Sequence, residues 1–326
     1  MKAYVYRRYG GPEVVELKDV QKPTPKDNEV LVKIHVTTVT AGDWRVRTLK
    51  VPKGFGPMAR LALGITRPRQ PILGTELAGV IETVGKDVTR FRPGDAVFAF
   101  PGGKMGCYAQ YRAVTEDGPV ALKPENLSFE EAASLSFGGS TALHFLRKAD
   151  IKAGEKVLVI GASGGVGTAL VQLAKHFGTE VTGVTSTTNL ELVTSLGADR
   201  VIDYTKEDFT KSGETYDIIA DTVGATSFAR CKRALKDQGR LLAIAGGLPD
   251  MLAALWVPMT SSKRVIVGPA DERPEDVRQL AELAKGGVLR PVIDRRYDFA
   301  QMAEAHAYVE TGRKRGNVVV SVGHEG

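Results

Sequence analysis

The sequence predicts an α/β protein in which a doubly wound parallel sheet is inserted into a second, β-rich domain. Three observations predict it. Between about residues 127 and 290, strand-like and helix-like stretches alternate, the pattern of parallel strands joined by crossover helices. Within that region "VLVIGASGGVGTALVQLAKHFG" (157–178) carries a buried-type strand through a glycine-rich turn into a helix. Residues 1–126 and 291–326 carry β-branched and aromatic runs punctuated by Gly and Pro. The expected organisation is therefore 1–126, an inserted 127–290, and 291–326 returning to the first domain.

The elements follow in order. "KAYVY", "EVLVKIHVTTV", "ELAGVIETVG" and "GDAVFAF" read as strands, separated by turns at Gly85, Pro93-Gly94-Asp95 and Pro101-Gly102-Gly103. "SFEEAASLSFGGSTALHFLRKA" reads as one helix capped by Ser128, with Glu131 completing a capping box. "KVLVIG", "EVTGVT", "RVIDY", "YDIIADTV" and "GRLLAIAG" are the inserted strands, and "GTALVQLAKHFG", "LELVTSLGA" and "FARCKRAL" their helices. "VIVG" within 255–270 is a further apolar strand. The chain ends with "VIDRRYDF", the helix "AQMAEAHAYVETG" and the strand "NVVVSV".

Composition narrows the function. A chain of 326 residues exceeds one typical core. Its 44 Lys and Arg against 38 Asp and Glu give a net charge of +6. That mild excess suits an anionic cofactor, and nucleic acid is not the expected partner. No apolar run reaches the ~18–20 residues needed to span a bilayer. The N-terminal residues lack the apolar core of a secretory signal. Stable membrane association is therefore not expected. Cys107 and Cys231 match no zinc spacing and no disulfide framework, so a reducing, cytoplasmic setting is expected.

The turn at 161–167 carries the first functional inference. Ala162, Ser163, Gly164, Gly165, Val166 and Gly167 form a dinucleotide fingerprint with Ala in place of its first glycine. Gly164 lets backbone approach a pyrophosphate, and Gly167 lets the helix pack close to the strand. The helix N-terminus then offers N–H groups to phosphates. The competing reading is a packing turn without ligand. An NAD site carries an acid at the end of the second strand, for the ribose 2′-hydroxyl. Here that strand ends Val184-Thr185-Ser186-Thr187-Thr188-Asn189, without one. Hydroxyls donate to a 2′-phosphate where a carboxylate would repel it, so NADPH is the expected cofactor, with Thr185, Ser186 and Asn189 as contacts. Lys175, Arg200, Tyr204 and Lys206 are candidates to supply charge or a further hydroxyl.

Four stretches then resemble the medium-chain dehydrogenase/reductases, in their zinc-independent quinone oxidoreductase, zeta-crystallin-like branch. They are "PILGTELAGVIETVGKDVTRFRPGDAVFAF" (71–100), "EEAASLSFGGSTALHFL" (130–146), the glycine turn, and "SLGADRVIDY" (195–204); "RGNVVVSV" (315–322) also matches. The resemblance implies a Rossmann domain inserted into a GroES-like β-barrel domain. It also bears on metal. Zinc-dependent members place ligands at positions that are Thr40, Thr75 (in Gly74-Thr75-Glu76) and a position near Phe137 here. None is a zinc donor, and the four-cysteine structural lobe is missing, so no metal is expected.

The resemblance also implies site residues. Thr141 matches a threonine beside the nicotinamide, the alternative being a helix-interior Thr bonded to its own backbone. Ala245, Gly246 and Gly247 follow a strand at the sheet edge where ligands bind, or simply turn the chain. Arg315 and Asn317 match a cofactor-contacting segment, with a strand-start role as the alternative for Asn317. Thr40, Asp43, Trp44 and Arg45 fall at the catalytic positions. Thr40 stands where relatives carry Asn. Asp43 either orients substrate or cofactor or caps the next helix. Trp44 and Arg45 stand where relatives often place a Tyr.

Without a Lewis acid to polarise a simple ketone, the accessible acceptors are electron-poor C=C bonds and quinones. The expected function is metal-free, NADPH-dependent hydride transfer to a quinone, enone or alkenal, carried by positioning and hydrogen-bond donors. The alternatives are an enoyl reductase of lipid or polyketide type, or a non-catalytic NADPH-binding protein contacting RNA or a partner. The apolar strand within 255–270 suggests a homodimer by strand pairing. Residues 44–70 hold seven Lys or Arg and no acid, with apolar residues interleaved. They read either as a lid favouring lipophilic acceptors or as a solvated surface helix.

Overall fold

The computed structural model describes residues 1–324. The chain forms two compact units. One comprises Met1–Val51, Pro57–Ser140 and the chain from Glu272 onward; the other comprises Pro52–Gly56 and Thr141–Asp271. The boundaries thus fall near 140 and 271, whereas 126 and 290 were expected. Local bonds account for the difference. Asn126 Nδ2 donates to the Ala284 carbonyl at 3.1 Å, and Phe137 N–H donates to Glu76 Oε2 at 2.7 Å. These tie 127–140 and 272–290 to the barrel half.

The inserted unit holds a six-stranded sheet, parallel throughout. In spatial order its strands are Arg200–Asp203, Glu180–Thr185, Lys156–Ile160, Tyr216–Asp221, Leu235–Ala243 and Arg264–Val267. The chain order across the sheet is 3-2-1-4-5-6, the doubly wound dinucleotide arrangement, whose switch point lies between Lys156–Ile160 and Tyr216–Asp221. Val157, Leu158, Val159, Ile218, Ile219 and Ala220 are fully buried. A strand covered on both faces reads as a continuous apolar run, which is why these were legible. The helix Gly165–His176 buries its interior from Gly167 to Ala174.

The other unit is built on Glu29–Thr38, which pairs antiparallel with Leu77–Val84, Tyr111–Thr115 and Asn317–Ser321. Ala96–Ala99 and Val120–Leu122 extend the sheet beyond Leu77–Val84, and Ile293–Asp298 lies parallel to Asn317–Ser321. The last strand therefore completes the sheet built on Glu29–Thr38, while Lys2–Val5 pairs with Glu16–Asp19 in a separate two-stranded sheet.

Several expectations are corrected. The expected single helix over 128–149 is two, Phe129–Ala133 and Ser136–Lys148. "FARCKRAL" forms only Phe228–Cys231. Helices Leu248–Thr260 and Pro274–Lys285 were not anticipated. Residues 44–70 contain the end of helix Ala41–Thr48 and all of Gly56–Leu63; the latter buries no residue, and Met58, Leu61 and Ile65 are exposed.

Arg240 anchors the inserted sheet from below. It makes two 2.9 Å bonds to the Glu155 carboxylate and donates to the Ala149 carbonyl. Its side chain is 8% exposed, and its partner 17%. Removing one member of a buried pair strands the other charge. Arg240→Ala is expected to destabilise the fold by about 3–5 kcal/mol, read as a lowered urea midpoint with unchanged slope.

Candidate active site

The strand Lys156–Ile160 delivers the chain to the C-terminal edge of the parallel sheet, and the turn that follows is shaped by contact. Gly161 and Ala162 N–H groups both donate to the Val184 carbonyl, each at 3.1 Å, pinning the turn to the second strand. A Cβ on Gly167 would stand 2.1 Å from the Gly161 carbonyl oxygen, so only glycine permits this approach of helix to strand. Above Gly164 the space is open: a Cβ there would meet only the Gly161 carbonyl oxygen, at 3.5 Å. Gly164 caps helix Gly165–His176 with no side-chain bond, so no side chain competes for the N–H groups that Gly165, Val166 and Gly167 contribute at its start. Ala162 is fully buried, and its N–H is taken; it shapes the turn.

The end of the second strand joins this turn through hydroxyls. Ser163 Oγ accepts from Thr185 Oγ1 at 2.9 Å and from Asn189 Nδ2 at 3.2 Å; Asn189 Nδ2 also donates to Ser186 Oγ. Asn189 Oδ1 is buried and has no partner among the described residues. An orphaned acceptor beside an uncapped helix N-terminus fits a ligand that brings hydroxyls and phosphates. Asp203, at the end of the third strand, accepts from Thr187 and Thr205, which hold its carboxyl below the usual range. Lys206 Nζ stands 3.7 Å from Asp203, and Tyr204 is exposed at the same edge. Lys175 and Arg200 are corrected. Lys175, in the last turn of its helix, bonds Asp199, and Arg200 begins its strand, at the opposite edge of the sheet.

Two further loops frame a cavity of about 340 Å³ in this unit, lined among others by Lys53, Asp221, Gly224, Ala243, Gly246 and Gly247. Sequence reasoning missed Asp221. Its carboxylate accepts N–H bonds from Val223, Gly224 and Thr226 at 2.8–3.0 Å and fixes that loop. Ala245, Gly246 and Gly247 each donate their N–H within the unit, to Asp221, Ala243 and Asp250. Glycine is required at 247, where a Cβ would lie 2.7 Å from the Lys53 carbonyl oxygen. Thr141 is half-buried in helix Ser136–Lys148.

In the barrel unit the expected catalytic residues gather around two carboxylates. Thr40 caps helix Ala41–Thr48 in a capping box with Asp43. Asp43 Oδ2 accepts from Thr40 N at 2.8 Å and Thr40 Oγ1 at 2.6 Å, while Oδ1 accepts from Gly74 N at 3.1 Å. The Tyr108 hydroxyl lies beside Asp43 without reaching hydrogen-bonding geometry. Burial pushes Asp43 up to about 6 against these donors. Glu76, also fully buried, accepts from Thr38 Oγ1 at 2.6 Å and Phe137 N at 2.7 Å. Burial, with Asp43 nearby, pushes Glu76 up to about 7. Sequence reasoning passed over Glu76, although it quoted Gly74-Thr75-Glu76; nothing in a sequence announces that a carboxylate is dry. Trp44 packs half-buried on the barrel core. Arg45 is half-buried beside it, its guanidinium held below its usual range by desolvation. Arg315 bonds Asp294, and Asn317 Nδ2 donates to the Val292 carbonyl at 3.2 Å.

A GroES-like barrel whose chain is interrupted by a Rossmann sheet, with an uncapped glycine turn, defines a pyridine-nucleotide-dependent dehydrogenase. The family described as "Alcohol dehydrogenase GroES-like domain" matches residues 26–125, and "Zinc-binding dehydrogenase" matches 196–320. The chain is 35% identical to the 2-methylene-furan-3-one reductase of Solanum lycopersicum, across 98% of this chain and 79% of that one. It is 32% identical to a chloroplastic quinone oxidoreductase of Triphysaria versicolor, across 98% of both. The quinone oxidoreductase of Coxiella burnetii superposes with a TM-score of 0.87 at 30% identity, covering 99% of both chains. The chain belongs to the medium-chain dehydrogenase/reductases, in their quinone oxidoreductase branch.

Zinc, which the second family description names, does not fit these residues. The positions where zinc-dependent members carry ligands converge on the carboxylate pair. Here they hold Thr40, Thr75 and a position near Phe137, while Asp43 and Glu76 are already engaged by Thr40, Gly74, Thr38 and Phe137. Among the described residues no three His, Cys, Asp or Glu side chains form a metal-binding group. Both cysteines are buried, free thiols.

The raised carboxyls set a pH dependence. Folded Glu76 binds its proton up to about 7, against 4.5 for an ordinary glutamate, so the native state holds more protons across that window. This contribution to stability therefore falls as pH rises from about 4.5 to 7. Buried His306, held down to about 3, gives the opposite slope below about 6.5, so urea midpoints between pH 5 and 8 are expected to fall more, or rise less, with pH in the wild type than in Glu76→Gln. Glu76→Gln removes Glu76's share, leaving Asp43 to act only up to about 6.

Proposed function

We propose that this protein reduces quinones or α,β-unsaturated carbonyls by hydride transfer, with NADPH as the donor. The observation that carries the reading is that non-ligating residues, Thr40, Thr75 and the segment near Phe137, stand at the metal-ligand positions around a buried carboxylate pair. Such a centre has hydrogen-bond donors and acids, and its carboxylate oxygens are already engaged by Thr40, Gly74, Thr38 and Phe137. It suits acceptors whose charge delocalises as hydride adds. Similarity to a 2-methylene-furan-3-one reductase, to an NADPH-dependent alkenal/one oxidoreductase of Arabidopsis thaliana and to quinone oxidoreductases supports the same acceptor class.

The bound cofactor would supply the hydride. Gly165, Val166 and Gly167 N–H groups would hold its phosphates, and Ser163, Thr185 and Asn189 a ribose. Ser186, Thr188, Tyr204 and Lys206 surround the place of a 2′-phosphate. Ser186 and Thr188 hydroxyls stand 3.3 Å apart, with no carboxylate between them. Thr141, Ala245, Gly246 and Gly247 are assigned to the nicotinamide end, and Arg315 and Asn317 to the cofactor through the barrel half. Thr40, Asp43, Trp44 and Arg45 are assigned to the acceptor. Oxidation of NADPH by an enone and a quinone, but not by a simple ketone, tests the reaction. Lys206→Ala is expected to raise the KM for NADPH about tenfold with little change for NADH, consistent with loss of one charge-assisted bond.

We further propose a homodimer. Arg264–Val267 is an edge strand, and helix Leu248–Thr260 exposes Leu252, Leu255, Trp256 and Met259, with Met259 84% exposed. Pairing of two such edges about a two-fold axis would cover both. Ile266→Lys is expected to give monomers in sedimentation equilibrium at micromolar concentration; an unchanged mass would discard this interface. Among the described residues no helix is long and apolar enough to cross a membrane. Two free, buried thiols support the reducing, cytoplasmic setting proposed.

A further inference from the structure

Residues 56–70 carry three arginines and no acid, and they leave apolar side chains in water. Helix Gly56–Leu63 rests on one edge: Ala59 and Leu63, four residues apart, are half-buried, and no residue of the helix is buried. Met58 and Leu61 lie one turn apart on the other side, and with Ile65 just past the helix end they are 62–64% exposed. The helix end is fixed in place. Gly64 N–H donates to the Arg60 carbonyl at 3.0 Å, the Tyr9 hydroxyl donates to the Gly64 carbonyl at 2.8 Å, and Arg69 N–H donates to the Leu63 carbonyl at 2.9 Å. Gly64 stands at φ +121°, and a Cβ there would lie 2.0 Å from the Arg67 carbonyl oxygen. The chain thus folds back sharply and brings Arg67 and Arg69 beside the helix end. Arg60 and Arg69 both lie near the Tyr9 hydroxyl, so the cations are clustered. All three arginines are exposed, and among the described residues none pairs with a carboxylate.

We propose that this face adsorbs reversibly to an anionic lipid surface, with Met58, Leu61 and Ile65 entering the acyl boundary and Arg60, Arg67 and Arg69 meeting the head groups. Apolar side chains flanked by cations are what an interfacial helix presents to a charged bilayer. Charge decides the occupant. A second copy of the chain would set the same three arginines against its own, and like charges repel. A bilayer answers both halves of the patch at once, with phosphates at the level of the guanidinium groups and hydrocarbon beneath them. The three apolar side chains come from one short helix and the turn after it, so attachment is peripheral and weakened by salt. It is therefore distinct from spanning, and no described helix is long and apolar enough to span.

Co-sedimentation of the full chain with sucrose-loaded vesicles tests this, in excess NADPH so that the proposed cofactor site does not contribute. The wild type is expected to bind vesicles of phosphatidylcholine and phosphatidylglycerol, to release as salt is raised, and to ignore phosphatidylcholine alone. Arg67→Gln/Arg69→Gln is expected to bind about 30-fold more weakly, at roughly fivefold for each cation near the surface. Lys232→Gln/Arg233→Gln removes the same charge from two exposed residues of the other unit and is expected to bind as the wild type does. Leu61→Ser is expected to bind about tenfold more weakly through lost apolar contact. Equal losses in the two charge pairs would reduce the effect to net charge and overturn the proposal. So would undiminished binding of Leu61→Ser, or binding of the wild type to polyglutamate but to no vesicle, which would give the face to an acidic protein. Vesicle binding is read without turnover, so the reductase reading stands or falls separately.

Discussion

The barrel half depends on keeping two carboxylates dry. Asp43 and Glu76 each lie at 0% exposure, and each is held by short bonds from threonines and backbone N–H groups. Those bonds tie the capping box of helix Ala41–Thr48 to Gly74, and the strand ending at Thr38 to the start of helix Ser136–Lys148. An unbonded carboxylate there would cost several kcal/mol in desolvation. The same bonds that make the pair tolerable therefore fix four segments of chain around one point. The carboxylate oxygens are already engaged by hydrogen bonds from Thr40, Gly74, Thr38 and Phe137.

The inserted half is shaped by a different constraint, the close approach of a helix start to a strand end. Gly167 lets the helix sit against the Gly161 carbonyl, and the unfilled space above Gly164 leaves its N-terminus accessible. Thr185, Ser163 and Asn189 form a continuous hydroxyl and amide edge beside it. Arg240 supports the opposite end of the sheet, where no ligand is expected, and its role is stability. The strand beginnings are thus anchored by an ion pair, and their ends carry the glycine turn and the hydroxyl edge.

Much of this was legible in the sequence. Buried parallel strands such as "KVLVIG" and "YDIIADTV" are continuous apolar runs, and Gly164 and Gly167 mark where backbone must pass close to something. Helix Leu248–Thr260 escaped because its apolar stripe faces outward and contains Pro258, so periodicity gave no core face to recognise. The break at Ser134–Leu135 escaped because both flanking segments have helical composition. The carboxylate pair was legible as residues but not as a site. Thr40 and Asp43 stand together in the chain, whereas Glu76, Thr38 and Phe137 meet only through tertiary packing. Lys175 and Arg200 show the reverse failure: cations at suitable sequence distance that strand direction carries to the wrong edge.

The central claim is that this centre moves hydride to a conjugated acceptor with carboxyls and hydroxyls in place of a metal. Its most direct test is metal content and turnover on the same sample: elemental analysis of the purified protein, then enone reduction with NADPH before and after exhaustive chelation. The predicted result is far less than one zinc per chain and an unchanged kcat. One zinc per chain, with activity lost on chelation and restored by zinc alone, would contradict it.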